Sequence, residues 1–186
     1  FLALHNNDYQ TALEKIEKAY DYSQKNQSDY ALAINYIRLI DCFVAMGDHQ
    51  KAYNICTKVD KLCSKHNFRY WETELEIKKL KIQLLDENVP IRPILRNLLE
   101  VIPYVQENHL YLLEIEVYEL MVQIYSNLKI HRKAEQCFTK YKELVQKSAE
   151  GLNAKDADLY LRTKKHYLKD YTGMRSITIA PRKILD

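Results

Sequence analysis

Glycine and proline are scarce in this chain, with three glycines and four prolines among 186 residues. All-β folds and α/β folds with tight phosphate loops need more glycine than this, because their turns use backbone conformations that other residues rarely adopt. Helices joined by short polar turns have no such requirement. Because 47% of the residues are apolar, the chain can bury a sizeable core, and the composition predicts an all-α fold.

Signals for membranes and for catalysis are missing as well. No run of about 18 apolar residues predicts a transmembrane helix, and no signal peptide is visible. There is no Gly-rich phosphate loop, GxSxG elbow or HExxH motif. The acidic groups Glu72, Glu74, Glu76 and Glu114, Glu116, Glu119 are interpreted as solvated helix surface, because charged residues are rarely buried. We therefore expect no catalytic residue, no cofactor and no enzyme activity in this chain.

The four cysteines include no CxxC pair, and they lie at positions 42, 56, 63 and 137. This spacing favours reduced thiols in a cytoplasmic protein over disulfides. A metal site is the alternative, because Cys56, Asp60, Cys63 and His66 fall along one helical stripe. Four ligands on one straight helix cannot close a tetrahedron, so no metal is expected.

A polar turn followed by alanine recurs along the chain. Three segments carry it: residues 7–13, 47–53 and 129–135. The steps between their alanines, Ala12, Ala52 and Ala134, are 40 and 82 positions, and the longer step is two periods of about 41. A further copy is therefore predicted near residue 93, where proline is acceptable in the first turn of a helix.

An amphipathic stripe precedes each turn, with apolar residues at i, i+3 or i+4, and i+7. The stripes comprise Tyr36, Leu39, Ile40 and Phe43; Ile77, Leu80 and Leu84; and Tyr118, Met121, Val122 and Tyr125. Short polar links at 25–29, 65–67 and 107–109 separate the units. The pattern predicts a helix A, a turn, a helix B and a link, repeated about every 40 residues.

These positions resemble the signature of the tetratricopeptide family, which has a Gly-Asp/Asn-Tyr-like turn, then alanine, then aromatic or apolar residues four and seven later. The resemblance covers about residues 1–170. Tyr36 and Tyr118 stand where the family has tryptophan, and Ile40 and Val122 stand where it has glycine. The period exceeds the family's usual length of about 34 residues, which looks like the longer-helix variants of bacterial signalling and transcription regulators.

The resemblance implies an all-α, right-handed superhelix of antiparallel helix hairpins over residues 1–171. Its units would span about 1–28, 29–67, 68–109 and 110–150. A capping helix is expected at 155–171 with Asp156 as its N-cap, and 172–186 would be an extended tail or linker. Because the chain opens at Phe1, it is interpreted as a fragment of a larger protein.

The resemblance also implies a function, namely a protein- or peptide-binding scaffold or sensor module of a cytoplasmic bacterial signalling or regulatory protein. No membrane partner is expected, and a homodimer is left open. Family members use the concave side lined by their A helices. Helical positions place on that side Asp41, Lys78, Glu116, Glu119 and Gln123, with Tyr30 and Tyr111 near its entrance. The Lys and Asn pattern that captures a peptide carboxyl terminus is not reproduced.

The sequence leaves two other functions open. Residues 170–175 resemble the entry segment of diguanylate cyclase domains, with the spacing off by one, so the chain could be the input region of a signalling enzyme. Residues 128–186 carry fourteen basic and seven acidic residues, which suggests nucleic-acid binding. Alternating charges on amphipathic helices favour a solvated face instead, so nucleic acid is not the expected partner.

Overall fold

The computed structural model describes residues 8–169, which form helices joined by short links and contain no strand. This confirms the predicted all-α class. The helices are α1 (Tyr9–Lys25), α2 (Asp29–Ala45), α3 (His49–His66), α4 (Arg69–Leu85), α5 (Ile91–Glu107), α6 (Tyr111–Asn127), α7 (His131–Glu150) and α8 (Ala154–Lys169). None of these described helices combines the length and apolar character that crossing a bilayer requires. The predicted tail at 172–186 and the cyclase-like segment at 170–175 lie outside the described residues.

The chain divides within α4 into two compact units, Phe1–Ile82 and Gln83–Asp186. In the first unit α1 packs on α2, and α2 packs on α3. Its core cluster comprises Ile37, Ile40, Ala52, Cys56, Val59, Cys63, Trp71, Leu75 and Ile82. Full burial of each large aliphatic side chain stabilises a fold by roughly 1.5–3 kcal/mol, so this cluster contributes strongly to the stability of the unit.

The second unit has its own core. Helix α6 packs on α5 and α7, and α8 packs on α7. One cluster is built from Ile115, Tyr141, Leu144 and Val145. Tyr160 and Leu161 of α8 pack against this cluster, so α8 covers apolar surface that α6 and α7 leave open.

Helix α8 is capped by Asn153 rather than by Asp156. The side-chain oxygen of Asn153 accepts a hydrogen bond from the backbone N–H of Asp156 at 3.0 Å. In return the Asn153 amide donates to the Asp156 carboxylate at 2.7 Å. This reciprocal arrangement resembles a capping box, so the prediction of Asp156 as the N-cap was wrong by one turn.

Five of the helix links have the same backbone geometry. Each contains one left-handed residue, with φ between 50° and 78°: Gln27, Gly47, Asn67, His109 and Lys129. In every case the next residue donates its backbone N–H to the carbonyl five residues before it, at 2.8–3.2 Å. This is the Schellman arrangement, which satisfies carbonyls at the helix end. Successive left-handed residues are 20 positions apart in the sequence, except that 42 positions separate residues 67 and 109.

The link between α4 and α5 lies between positions 67 and 109 and has a different geometry. The carboxylate of Asp86 accepts the backbone N–H of Asn88 at 2.9 Å, and the Asp86 carbonyl accepts the N–H of Val89 at 3.2 Å. Pro90 then precedes α5, which begins at Ile91. Proline has no N–H to donate, so this link ends α4 without the bond that the other five links share.

Substitutions at the left-handed positions should change the free energy of unfolding in opposite directions, depending on whether glycine is introduced or replaced. Lys129 has φ of 56° and Gly47 has φ of 78°, and a Cβ in this region costs roughly 1–2 kcal/mol. Lys129→Gly is therefore expected to raise the free energy of unfolding by about 0.5–1 kcal/mol, after the larger entropy that glycine has in the unfolded chain. Gly47→Ala is expected to lower it by about 1 kcal/mol. Urea denaturation measures both, and an equal effect of the two substitutions would contradict the assigned geometry.

Each unit contains a helix hairpin with a lysine–aromatic contact. The residues of the two contacts are 82 positions apart in the sequence, as are Ala52 and Ala134. In the first unit Lys51 Nζ lies 5.6 Å from the centre of the Phe43 ring. In the second unit Lys133 Nζ lies 5.4 Å from the centre of the Tyr125 ring. A second matching pair comprises Lys65 with Asp29 at 2.7 Å and Lys147 with the Tyr111 ring at 4.6 Å. The repeat seen in the sequence is thus also a repeat of side-chain contacts.

Candidate functional site

In the first unit, helices α2 and α4 run side by side in the same direction. Three contacts between them step along both helices together: Tyr30 with Trp71, Arg38 with Glu74, and Asp41 with Lys78. Sequence numbers that rise together across a contact indicate parallel helices. We call the surface formed by these six residues the α2–α4 face.

The amino-terminal end of the α2–α4 face is aromatic. The Tyr30 ring meets Trp71 edge-on, with ring centroids 5.7 Å apart, and meets Phe68 edge-on at 5.6 Å. Trp71 is buried, whereas Tyr30 is 54% exposed. Edge-to-face contacts hold aromatic rings in defined positions. The ring of Tyr30 is therefore exposed to solvent but held in place by its contacts with Phe68 and Trp71.

The carboxyl-terminal end of the face is charged. Lys78 Nζ lies 2.8 Å from Asp41 Oδ1, and only 3% of the Lys78 side chain is exposed. Arg38 Nη1 lies 3.4 Å from Asp41 Oδ2 and 3.4 Å from Glu74 Oε1. Buried ions lose hydration, and good pairing must offset that cost. Glu74 and Lys78 satisfy this requirement by lying in one network with Asp41 and Arg38.

The network keeps Asp41 ionised. Burial raises the pKa of the Asp41 carboxyl, but the charge and hydrogen bond of Lys78, with the charges of Lys81 and Arg38, outweigh burial. The net effect holds the pKa of Asp41 below its ordinary value of 3.8. A carboxyl with a depressed pKa stabilises the fold above its ordinary pKa, and that contribution is lost as the pH falls through the lowered value.

This gives a prediction about pH. The difference in unfolding free energy between the native chain and Asp41→Asn should be largest near neutral pH and should shrink as the pH falls below about 4. The comparison isolates Asp41 from Asp8, Asp29 and Asp48, whose pKa values are also lowered and which both proteins retain. Urea denaturation from about pH 7 to pH 2 measures the difference. A difference that does not change with pH would contradict the assigned role of Asp41.

The residues predicted from the sequence divide between the two units. Asp41 and Lys78 form the ion pair described above, and Tyr30 lies at the aromatic end of the same face. The remaining four lie on α6 in the second unit: Tyr111, Glu116, Glu119 and Gln123. Their side chains are half-buried, and the Tyr111 ring lies under Lys147.

Three members of the α2–α4 face were missed from the sequence, namely Arg38, Trp71 and Glu74. Glu74 was interpreted as solvated surface, and this was wrong, because the residue is only 2% exposed. Glu114 is a second error of the same kind, since it is buried and accepts a hydrogen bond from Gln106 at 2.8 Å. A helix packed on more than one side has few solvated positions, so an acidic residue there can be enclosed.

The cysteine stripe on α3 does not gather into a ligand set. Cys56 and Cys63 lie in the apolar core, whereas Asp60 pairs with Lys79 at 2.6 Å. His66 Nε2 lies 2.6 Å from the Asp29 carboxylate. Among the side chains that the structure describes, no three of His, Cys, Asp or Glu are grouped so that they could hold a metal ion.

Comparisons with known proteins do not supply a family. The chain matches no protein-family model, no curated protein and no solved structure. The function must therefore be argued from the repeat and from the α2–α4 face.

Proposed function

We propose that this chain is a helical repeat of the tetratricopeptide kind that binds a protein or peptide partner and catalyses no reaction itself. It would serve as a binding or sensor module in a larger cytoplasmic signalling or regulatory protein. The proposal rests on the α2–α4 face. There the half-exposed ring of Tyr30 packs on the buried Trp71, and Arg38, Asp41, Glu74 and Lys78 form a network of ion pairs.

Binding energy in protein interfaces is concentrated in a few rigid anchors, among which tyrosine, tryptophan and arginine are enriched. The face exposes two of these types, in Tyr30 and Arg38, while Trp71 is buried against Tyr30. Tyr30 is held by ring contacts at 5.6 and 5.7 Å, so little side-chain entropy remains to be lost when a partner covers it. Such preorganisation favours a binding role over a purely structural one.

The repeat supports the family assignment within this proposal. Alanines at the predicted turn positions are buried in both units, as Ala12, Ala52 and Ala134. The left-handed links recur at even steps, and the lysine contacts recur at the same offset as the alanines of the two units. A helix, a short link and a second helix are the building block that stacking repeats require.

Nucleic-acid binding is less well supported. The lysines of α7 contact their own chain, as Lys142 lies 5.0 Å from the Phe138 ring and Lys140 lies 2.8 Å from Glu143. Lys133 and Lys147 also lie over tyrosine rings. The input region of a signalling enzyme rests on residues 170–175, outside the described part of the chain, so we favour the binding module.

A random dodecapeptide library displayed on phage tests the proposal when it is selected against the immobilised chain. Enriched peptides should bind the free chain in fluorescence anisotropy with micromolar dissociation constants. A library that yields no peptide with measurable affinity, while a known peptide-binding domain yields binders under the same conditions, would contradict the proposed function.

A further inference from the structure

Arg38 differs from the other charges of the α2–α4 face in how it meets solvent. Its side chain is 37% exposed, compared with 20% for Asp41, 3% for Glu74 and 3% for Lys78. The carboxylates of Asp41 and Glu74 each lie 3.4 Å from its Nη1 atom, and Lys81 adds a further positive charge near Asp41. The guanidinium is therefore the most exposed charge of the network, ahead of the Asp41 carboxylate.

The guanidinium is oriented but not saturated. Both of its contacts, to Asp41 and to Glu74, use Nη1. Among the residues whose side chains the structure describes, none forms a hydrogen bond with Nη2 or Nε of Arg38. Arginine carries five N–H donors in a planar fork, so two nitrogens remain available. This fork matches the two oxygens of a carboxylate.

The spacing between Arg38 and Tyr30 sets the size of the ligand. The two residues are eight positions apart on α2, which corresponds to about 12 Å along the helix axis. An extended peptide rises about 3.3 Å per residue, so groups three or four residues apart span this distance. Side chains four apart also point to the same side of an extended chain.

We propose that the α2–α4 face binds an extended peptide segment with an aromatic or aliphatic side chain and, about four residues from it, an acidic side chain. The apolar group packs on Tyr30, and the carboxylate accepts hydrogen bonds from the free nitrogens of Arg38. This inference rests on the proposed function and specifies its ligand. A basic segment is disfavoured, because the most exposed charge of the face is the Arg38 guanidinium.

The peptides selected from the phage library test this inference. Enriched sequences should pair an aspartate or glutamate with an apolar residue at a separation of three or four positions. Each such peptide is then synthesised with a fluorophore and measured by anisotropy against variants of the full chain. Arg38→Gln should weaken binding about tenfold to a hundredfold, as expected for the loss of hydrogen bonds to a charged group.

Matched substitutions separate recognition from general damage. Arg38→Lys keeps the charge but loses the fork, and it should recover only part of the affinity. Tyr30→Ala should weaken binding about tenfold or more. Tyr22→Ala and Arg96→Gln are the controls, since both residues are exposed and lie outside the α2–α4 face; each should leave affinity within about twofold. Circular dichroism confirms that each variant is folded.

The source of the carboxylate is distinguished by amidating the peptide carboxyl terminus. Amidation should leave affinity unchanged, and replacing the internal acidic residue with its amide should weaken binding about tenfold to a hundredfold, as Arg38→Gln does. Enriched peptides without the acidic residue, or binding that is insensitive to Arg38→Gln and Tyr30→Ala, would overturn this inference while leaving the proposed function intact. A library with no binders overturns both.

Discussion

Asp41→Leu is expected to lower the free energy of unfolding of the first unit by about 3 kcal/mol. The substitution removes the carboxylate that lies 2.8 Å from Lys78 Nζ, where the lysine side chain is 3% exposed. An ammonium group left in the protein without that partner keeps its desolvation cost and loses the attraction that offset it. Arg38 loses one of its two carboxylate contacts at the same time.

The double substitution Asp41→Leu with Lys78→Met gives the matched comparison. Apolar replacement of both members of a buried ion pair is often neutral or stabilising, so the double variant should recover most of the stability lost by the single one. Trp71 is the only tryptophan in the sequence, and its fluorescence during urea denaturation reports on the first unit. Lys51→Met removes an exposed ion pair with Asp48 and should cost less than about 1 kcal/mol. A single variant as stable as the native chain would show that the pair is not buried.

The four thiols should be about a hundredfold or more less reactive in the native chain than in the unfolded chain. All four cysteines are free and buried. Burial raises the pKa of Cys56 and of Cys63 to about 11, and it also raises the pKa of Cys42 and Cys137. The thiolate is the reactive form, so both its low abundance and its enclosure slow the reaction.

Labelling with Ellman's reagent at about pH 8, with and without urea, measures this protection. Thr57→Cys is the matched control, because Thr57 is exposed on α3 next to the buried Cys56. One thiol of this variant should react rapidly in the native state while the other four remain protected. Rapid reaction of the native thiols without urea would contradict the assigned core of α3 and α7.

Helical periodicity was sufficient to predict the class of the fold and much of the apolar core. Ile40, Ile77 and Val122 were placed on apolar stripes and are buried. Such patterns work because one face of each helix must leave water. The spacing of the cysteines favoured reduced thiols, and all four side chains are free and buried.

The charged part of the face was harder to predict for a physical reason. A helical stripe shows which residues share a side, but it does not show that α4 lies parallel to α2 with Glu74 opposite Arg38. Asp41 and Lys78 were chosen from their own helices without any indication that they pair with each other. Charged residues at three- or four-residue spacing, such as Arg38 and Asp41, were the available signal, and this spacing is equally common on solvated helices.

Left-handed links were missed for a related reason. Glycine at position 47 is the usual sign of such a link, whereas Gln27, His109 and Lys129 adopt the same conformation without it. Their backbone is fixed by the bond that the following residue donates five positions back. That bond depends on the helix before it and on the packing of the helix after it, and a single residue type does not reveal it.

The central claim is that the α2–α4 face receives the ligand, and a two-dimensional ¹H–¹⁵N NMR titration tests it most directly. The ¹⁵N-labelled chain would be titrated with the tightest peptide from the phage selection. The account predicts that the largest shifts occur at the Trp71 indole N–H and at the backbone amides around Tyr30 and Arg38, with α6 and α7 nearly unchanged. Shifts concentrated on α6 and α7, with the signals of Trp71, Tyr30 and Arg38 unmoved, would contradict it.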